Sequence, residues 1–223
     1  MFTKNDISST MFIVSIKKEP KLIIFASGSK TGGGSGFENL VLAQKNGILR
    51  ADIVAVVSNN ENGGVREKAD RLGIPFEYFN GPFEAQNYQD IISKYQAEFT
   101  SLSGWLKLVT GLDPKTTFNI HPGPLPRFGG PGYYGRFVHE KVMEAYRLGE
   151  VTHSGISMHF VTEKYDEGPL FFQKEVEILT DDTPETLAKR VNDAELNYQP
   201  IITDKIVNGE IFWDGEDSDS LVC

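Results

Sequence analysis

Five consecutive apolar residues, Leu22-Ile23-Ile24-Phe25-Ala26, run without a polar interruption into a glycine-rich stretch. A strand with one wet face alternates polar and apolar residues. A short unbroken apolar run belongs to a strand covered on both faces, as in a parallel sheet flanked by helices. The pattern recurs at Ile53–Val57, and Ile74–Phe79 with Pro75 at the strand entry, Phe99–Leu102 and Thr116–Ile120 read as further strands. Between these runs, Phe37–Ile48, Val65–Leu72 (stopped by Gly73) and Glu84–Tyr95 read as helices. The rhythm predicts an α/β fold: a doubly wound, mostly parallel sheet with helices on both faces and a Rossmann-like N-terminal half. Ligands in such folds bind beyond the carboxyl ends of the strands, where the strand order reverses.

The second half changes texture. His121–Gly135 is rich in proline and glycine, and Tyr134–Leu148 reads as a helix. Gly155–Val161 and Leu170–Ile178 read as strands. Thr183 as N-cap and Pro184 at the first helical position open a helix that reaches about Val207. The expected organisation is an extension over 1–20, carrying an extra edge strand over 11–16, a single domain over 21–213, and a loose acidic tail over 214–223.

Composition narrows the function. The 223 residues carry 22 Lys and Arg against 31 Asp and Glu, a formal charge of −9, so nucleic acid is not an expected partner. The one cysteine, Cys223, allows no intrachain disulfide, cysteine zinc site or catalytic thiol within the chain. No stretch approaches the roughly 18 apolar residues of a membrane helix, and Met11–Val14 is too short for a signal-peptide core. The expectation is a cytoplasmic protein with no membrane partner. No metal is expected either: His139 and His153 lack partners at a metal-binding spacing and read as surface or core residues.

Three groups of residues carry chemistry. Ser27–Gly36 joins a buried strand to a helix and is nearly all small residues, which lets backbone N–H groups converge on an anion at a helix N-terminus. It lacks the closing Gly-Lys-Ser/Thr of a P-loop and, with Asn39 at the third glycine position, breaks the dinucleotide fingerprint. The plain alternative is a flexible connector. Asn119 and His121 stand two apart at a strand end, so both side chains face one side, with prolines stiffening the exit. An amide donor beside an imidazole suits a developing oxyanion in acyl transfer. The alternative is a structural histidine next to a turn. Ser157 and His159 alternate on one face of a later strand, and Asp166 follows in a turn. A carboxylate near a histidine raises its pKa and holds it protonated; alone, such an aspartate is a turn residue.

Asn119-Ile120-His121-Pro122, Gly155–Val161 and Tyr165-Asp166-Glu167-Gly168 together resemble the folate-dependent formyltransferases, specifically the phosphoribosylglycinamide formyltransferase group, over about Lys21–Glu210. Val57-Ser58-Asn59-Asn60 and Ala69 through Pro75 strengthen the likeness to that group. The resemblance implies transfer of the formyl group of 10-formyltetrahydrofolate to glycinamide ribonucleotide in purine biosynthesis, with Asn119, His121 and Asp166 catalytic. In this picture Asn119 and His121 hold the oxyanion, and Asp166 sets the charge of His121. It implies substrate binding by Gly34, Ser35, Gly36 and Asn39 at the phosphate and by Glu195 at the ribose. It further implies folate binding by Trp105, Leu106, Lys107, Leu108 and Val109, largely through the backbone, and by Glu163, Lys164 and Tyr165, with Ser157 and His159 in support. The formyl folate is a cosubstrate, and the expected state is a monomer or homodimer.

The chain departs from the family pattern in three places. Extra residues occupy Lys30–Gly33, Gly123-Pro124 follows the His-Pro pair, and Met158 replaces a smaller aliphatic residue. Alternatives within the class are a formyltetrahydrofolate hydrolase and a sugar-nucleotide N-formyltransferase. A tRNA formyltransferase fits less well, because about twenty residues follow the last helix and the charge is acidic. Outside the class stand a non-catalytic nucleotide- or folate-binding module, which has no need of the trio, and a nicotinamide oxidoreductase, which the broken glycine fingerprint disfavours.

Overall fold

The computed structural model describes residues 18–223; the edge strand expected over 11–16 lies outside the described residues. The chain runs β1 (Lys21–Phe25), α1 (Ser35–Lys45), β2 (Asp52–Ser58), α2 (Gly64–Leu72), β3 (Phe76–Tyr78), α3 (Ala85–Tyr95) and β4 (Phe99–Leu102). It continues with β5 (Thr117–His121), α4 (Arg136–Arg147), β6 (His153–Phe160), β7 (Leu170–Glu177) and α5 (Pro184–Val207). The strands form one seven-stranded sheet in the order β3-β2-β1-β4-β5-β6-β7. The first five run parallel to their neighbours, and β6 and β7 add antiparallel beside β5.

β1 shows why its run is apolar throughout. Leu22 and Ile24 point into a core shared with Leu40 of α1, Val65 of α2, Val138 of α4 and Leu187 of α5. Ile23 and Phe25 point into a second core with Tyr88 and Ile91 of α3. All four strand residues are fully buried, each contributing about 1.5–3 kcal/mol of burial free energy. The layers are unequal: α1, α2, α4 and α5 cover one face, and α3 covers the other. The chain therefore leaves β1 for β2 over one face and reaches β4 from β3 over the other. The reversal between β1 and β4 opens a crevice at the carboxyl ends of the strands.

α5 begins as its sequence predicts. The Thr183 hydroxyl accepts from Thr186 N at 3.3 Å, Thr186 Oγ1 accepts from Thr183 N at 2.9 Å, and Pro184 opens the helix. The tail departs from expectation by folding onto the core. Phe212 and Val222 exchange backbone hydrogen bonds at 3.1 and 2.9 Å, closing a loop over Trp213. The Trp213 indole donates to Asp217 O at 2.7 Å. The acidic residue Asp214 serves as a turn acceptor, taking the N–H groups of Glu216 and Asp217.

Candidate active site

A cleft of about 810 Å³ opens at the strand reversal, walled by the glycine loop, the carboxyl ends of β4 and β5, the 130–136 loop and α5. At one end Gly34 leads into α1 with a φ of +74° that suits glycine, and no side chain caps the helix. Its first-turn N–H groups are thus left for a ligand. Gly36 lets the helix start this close: a Cβ there would lie 2.2 Å from Ser103 Oγ and 2.9 Å from Gln199 Oε1. Gly34, Ser35 and Gly36 all line the cleft. Asn39 does not, which corrects its assignment to a phosphate site. Its side-chain amide donates to Leu196 O at 2.6 Å and ties α1 to α5 instead.

Cleft residues recur along α5 at helical spacing: Ala188, Asn192, Glu195 and Gln199. The Glu195 carboxyl receives one hydrogen bond, from Asn192 Nδ2 at 3.2 Å. Burial pushes its pKa up to about 7, against a small opposing effect from Asn192.

Asn119, His121, His159 and Asp166 meet in the middle of the cleft. Antiparallel pairing sets Asn119 opposite His159 and His121 opposite Ser157. Asp166 returns from the β6–β7 turn with φ +56°, a left-handed conformation uncommon outside glycine, which turns its carboxylate back over the two histidines. Its Oδ2 accepts from Gly130 N at 2.9 Å and lies 3.7 Å from His121 Nδ1. Its Oδ1 lies 3.4 Å from His159 Nε2 and 3.5 Å from Asn119 Nδ2. A carbonyl can only accept, so the 2.7 Å contact between His121 Nε2 and Phe128 O places a hydrogen on Nε2. By the same logic His159 Nδ1 donates to Phe160 O at 2.8 Å, and its Nε2 accepts from Asn119 Nδ2 at 3.1 Å.

The charge balance differs from the sequence expectation. Burial is the largest influence on His121 and lowers its pKa; Asp166 and the Phe128 carbonyl raise it, without overcoming burial. His121 is therefore neutral at neutral pH rather than held protonated. Burial also pushes Asp166 upward, but His159, His121 and the Gly130 N–H together bring it below the usual carboxylate range. The site holds a carboxylate beside a neutral His121 ring, whose Nδ1 is the atom poised to take up a proton.

Ser157 sits outside the cleft. Its hydroxyl donates to Gly123 O at 2.8 Å and accepts from Leu125 N and Gln173 Nε2, both at 3.1 Å, so it anchors the loop that leaves His121. The segment 105–109 lines the cleft opposite α5. The Trp105 side chain is buried in the α3 core, donating to Tyr88 Oη at 3.2 Å with Phe25 at 5.3 Å, while Tyr88 donates to Leu108 O at 2.9 Å. Lys164 and Tyr165 line the cleft, whereas Glu163 lines a neighbouring cavity of about 300 Å³. The sequence expectations give no site role to Gly130, Asn192, Gln199 or the cleft-facing His139. The four-three-four spacing of the α5 residues was the available signal for two of them. Among the described residues, no group of three His, Cys, Asp or Glu is placed to hold a metal, and no helix is long and apolar enough to cross a membrane.

An anion cradle, a carboxylate–imidazole pair and the Asn119 amide converging on one cleft define a group-transfer enzyme of the doubly wound α/β class. The chain belongs to the formyl transferase family, whose model matches residues 21–202. It is 35% identical over 207 residues to the chloroplastic phosphoribosylglycinamide formyltransferase of Arabidopsis thaliana, covering 88% of this chain and 68% of that protein. It spans 64% of the corresponding Vigna unguiculata protein. With the Bacillus subtilis phosphoribosylglycinamide formyltransferase it shares 30% identity over 197 residues, 84% of this chain and 94% of that one. The crystal structure of glycinamide ribonucleotide transformylase 1 from Symbiobacterium toebii superposes with a TM-score of 0.76 at 24% identity, covering 88% and 92% of the two chains, a likeness of fold.

Proposed function

We propose that this chain transfers the formyl group of 10-formyltetrahydrofolate to the amine of glycinamide ribonucleotide. The observation that carries the reading is the convergence of Asn119, His121 and Asp166 in the same cleft as the uncapped start of α1. In this reading the phosphate lies on the N–H groups of residues 34–36, Glu195 takes the ribose hydroxyls, and the folate lies along 105–109 with Lys164 and Tyr165. The relatives named above carry this activity in their names.

The neutral amine attacks the formyl carbon, and the carbonyl electron pair moves onto oxygen beside Asn119 Nδ2. His121 Nδ1 takes the proton that the attacking nitrogen sheds. Asp166 stabilises the imidazolium as it forms. The bond from the formyl carbon to N10 then breaks, its electron pair staying on N10, and the proton held at His121 passes to N10 directly or through water. The products are tetrahydrofolate and the formylated ribonucleotide, with no covalent enzyme intermediate. The test follows folate absorbance with purified protein and 10-formyltetrahydrofolate, with and without glycinamide ribonucleotide. Release that depends on the ribonucleotide supports the reading; release without it points to a hydrolase and contradicts it.

A further inference from the structure

α4 places in the cleft one side chain that this mechanism does not use. His139 is 5% exposed and lines the cleft, and its Nδ1 is fully buried with no hydrogen-bond partner among the described residues. Buried polar groups are nearly always paired, and an unpaired one lowers stability. The neighbouring buried positions of α4, Val138, Val142 and Met143, are apolar. A leucine or phenylalanine at 139 would suit this helix face better than a histidine does.

The position explains what the ring has to meet. A Cβ added at Gly123 would lie 2.7 Å from Val138 Cγ1 and 3.2 Å from His121 Nε2, so the first turn of α4 abuts the His121 ring. Burial, with a lesser effect from His121, pushes the pKa of His139 down to about 4, and the ring is uncharged at neutral pH. A neutral imidazole offers one donor and one acceptor. Along the cleft wall, Gln199, Glu195 and Asn192 climb α5 away from Gly36. A phosphorylated ribose reaching from the α1 start to Glu195 leaves the space toward His121 for the group that links ribose to the reacting amine. In the proposed acceptor that link is an uncharged secondary amide, which also carries one donor and one acceptor.

We propose that His139 is an acceptor-binding residue that hydrogen-bonds this amide through Nε2, the ring nitrogen the fold leaves open, an inference that rests on the acceptor being glycinamide ribonucleotide. His139 aligns the acceptor chain so that its amine reaches the formyl carbon beside Asn119. The test uses the full chain and His139→Phe, His139→Leu and His139→Gln. Calorimetry titrates glycinamide ribonucleotide and, separately, tetrahydrofolate, and thermal denaturation gives the Tm. The Phe and Leu variants should melt at or above the parent, bind the ribonucleotide about tenfold more weakly, the worth of one good hydrogen bond, and bind folate unchanged. The Gln variant should recover part of the loss. Ribonucleotide affinity within about twofold of the parent in either apolar variant overturns the proposal and leaves the transferase reading intact. Joint weakening of both ligands with a fall in Tm also overturns it, because that is a structural role. A parent protein that binds no ribonucleotide refutes the transferase reading and this proposal together.

Discussion

Glu195→Gln separates what the cleft requires from what the fold prefers. The folded chain holds the Glu195 carboxyl near pKa 7 against an ordinary 4.5, because burial disfavours the charge. Below pH 4.5 the group is protonated in both folded and unfolded chains and costs nothing. Between 4.5 and 7 the unfolded chain releases its proton while the folded chain keeps it, so stability falls as pH rises. Above 7 the full penalty is present, about 3 kcal/mol at about 1.4 kcal/mol per pH unit. Glutamine carries no charge at any pH. Urea denaturation should show the variant up to about 3 kcal/mol more stable than the parent at pH 8, and the two equal near pH 4. The same variant should bind the ribonucleotide about tenfold more weakly at pH 8, where the carboxylate would accept charge-assisted hydrogen bonds from hydroxyls. Parent affinity should rise as pH rises through 7. A stability difference that does not change between pH 4 and pH 8 would refute the buried-carboxyl argument. Unchanged ribonucleotide affinity would remove Glu195 from the binding site.

Three further substitutions test the rest of the cleft. Asp166→Asn keeps the shape but removes the charge facing His121 and His159; turnover should fall about 10²–10⁴-fold with the fold intact by circular dichroism, and near-normal turnover would exclude Asp166 from proton transfer. Gly64→Ala would put a Cβ 2.6 Å from the Gly32 carbonyl and displace the glycine loop, so the KM for the ribonucleotide should rise about tenfold with the folate KM unchanged, as steady-state kinetics will show. Ser157→Ala orphans Gly123 O and Leu125 N, and denaturant melts should show a loss of about 1–3 kcal/mol together with a lower kcat, as the loop after His121 loosens.

What the sequence made legible is what local rules govern. β1 could be read because burial on both faces leaves a visible mark on its residues. Asn119 and His121 could be placed on one side because strand side chains alternate with period two. The start of α5 was legible from Thr183 and Pro184. The long-range part was not. The meeting of Asn119 with His159 and Asp166 depends on β6 pairing antiparallel to β5, a register no local pattern encodes. The neutral state of His121 depends on burial by residues distant in the chain, so the proximity of an aspartate gave the wrong balance. Likeness to a motif puts Asn39 at the phosphate, whereas its contact with Leu196 arises only when α1 and α5 pack together. The tail was read from its acidic composition, whereas its carboxylates cap turns that hold Trp213 against Phe160.

The most direct measurement follows 10-formyltetrahydrofolate labelled in its formyl carbon, incubated with the purified protein and glycinamide ribonucleotide. The label should appear in the ribonucleotide, one equivalent for each tetrahydrofolate released, and Asn119→Ala, His121→Ala and Asp166→Ala should each sharply slow its arrival. Label recovered as formate at a rate indifferent to the ribonucleotide would contradict the account.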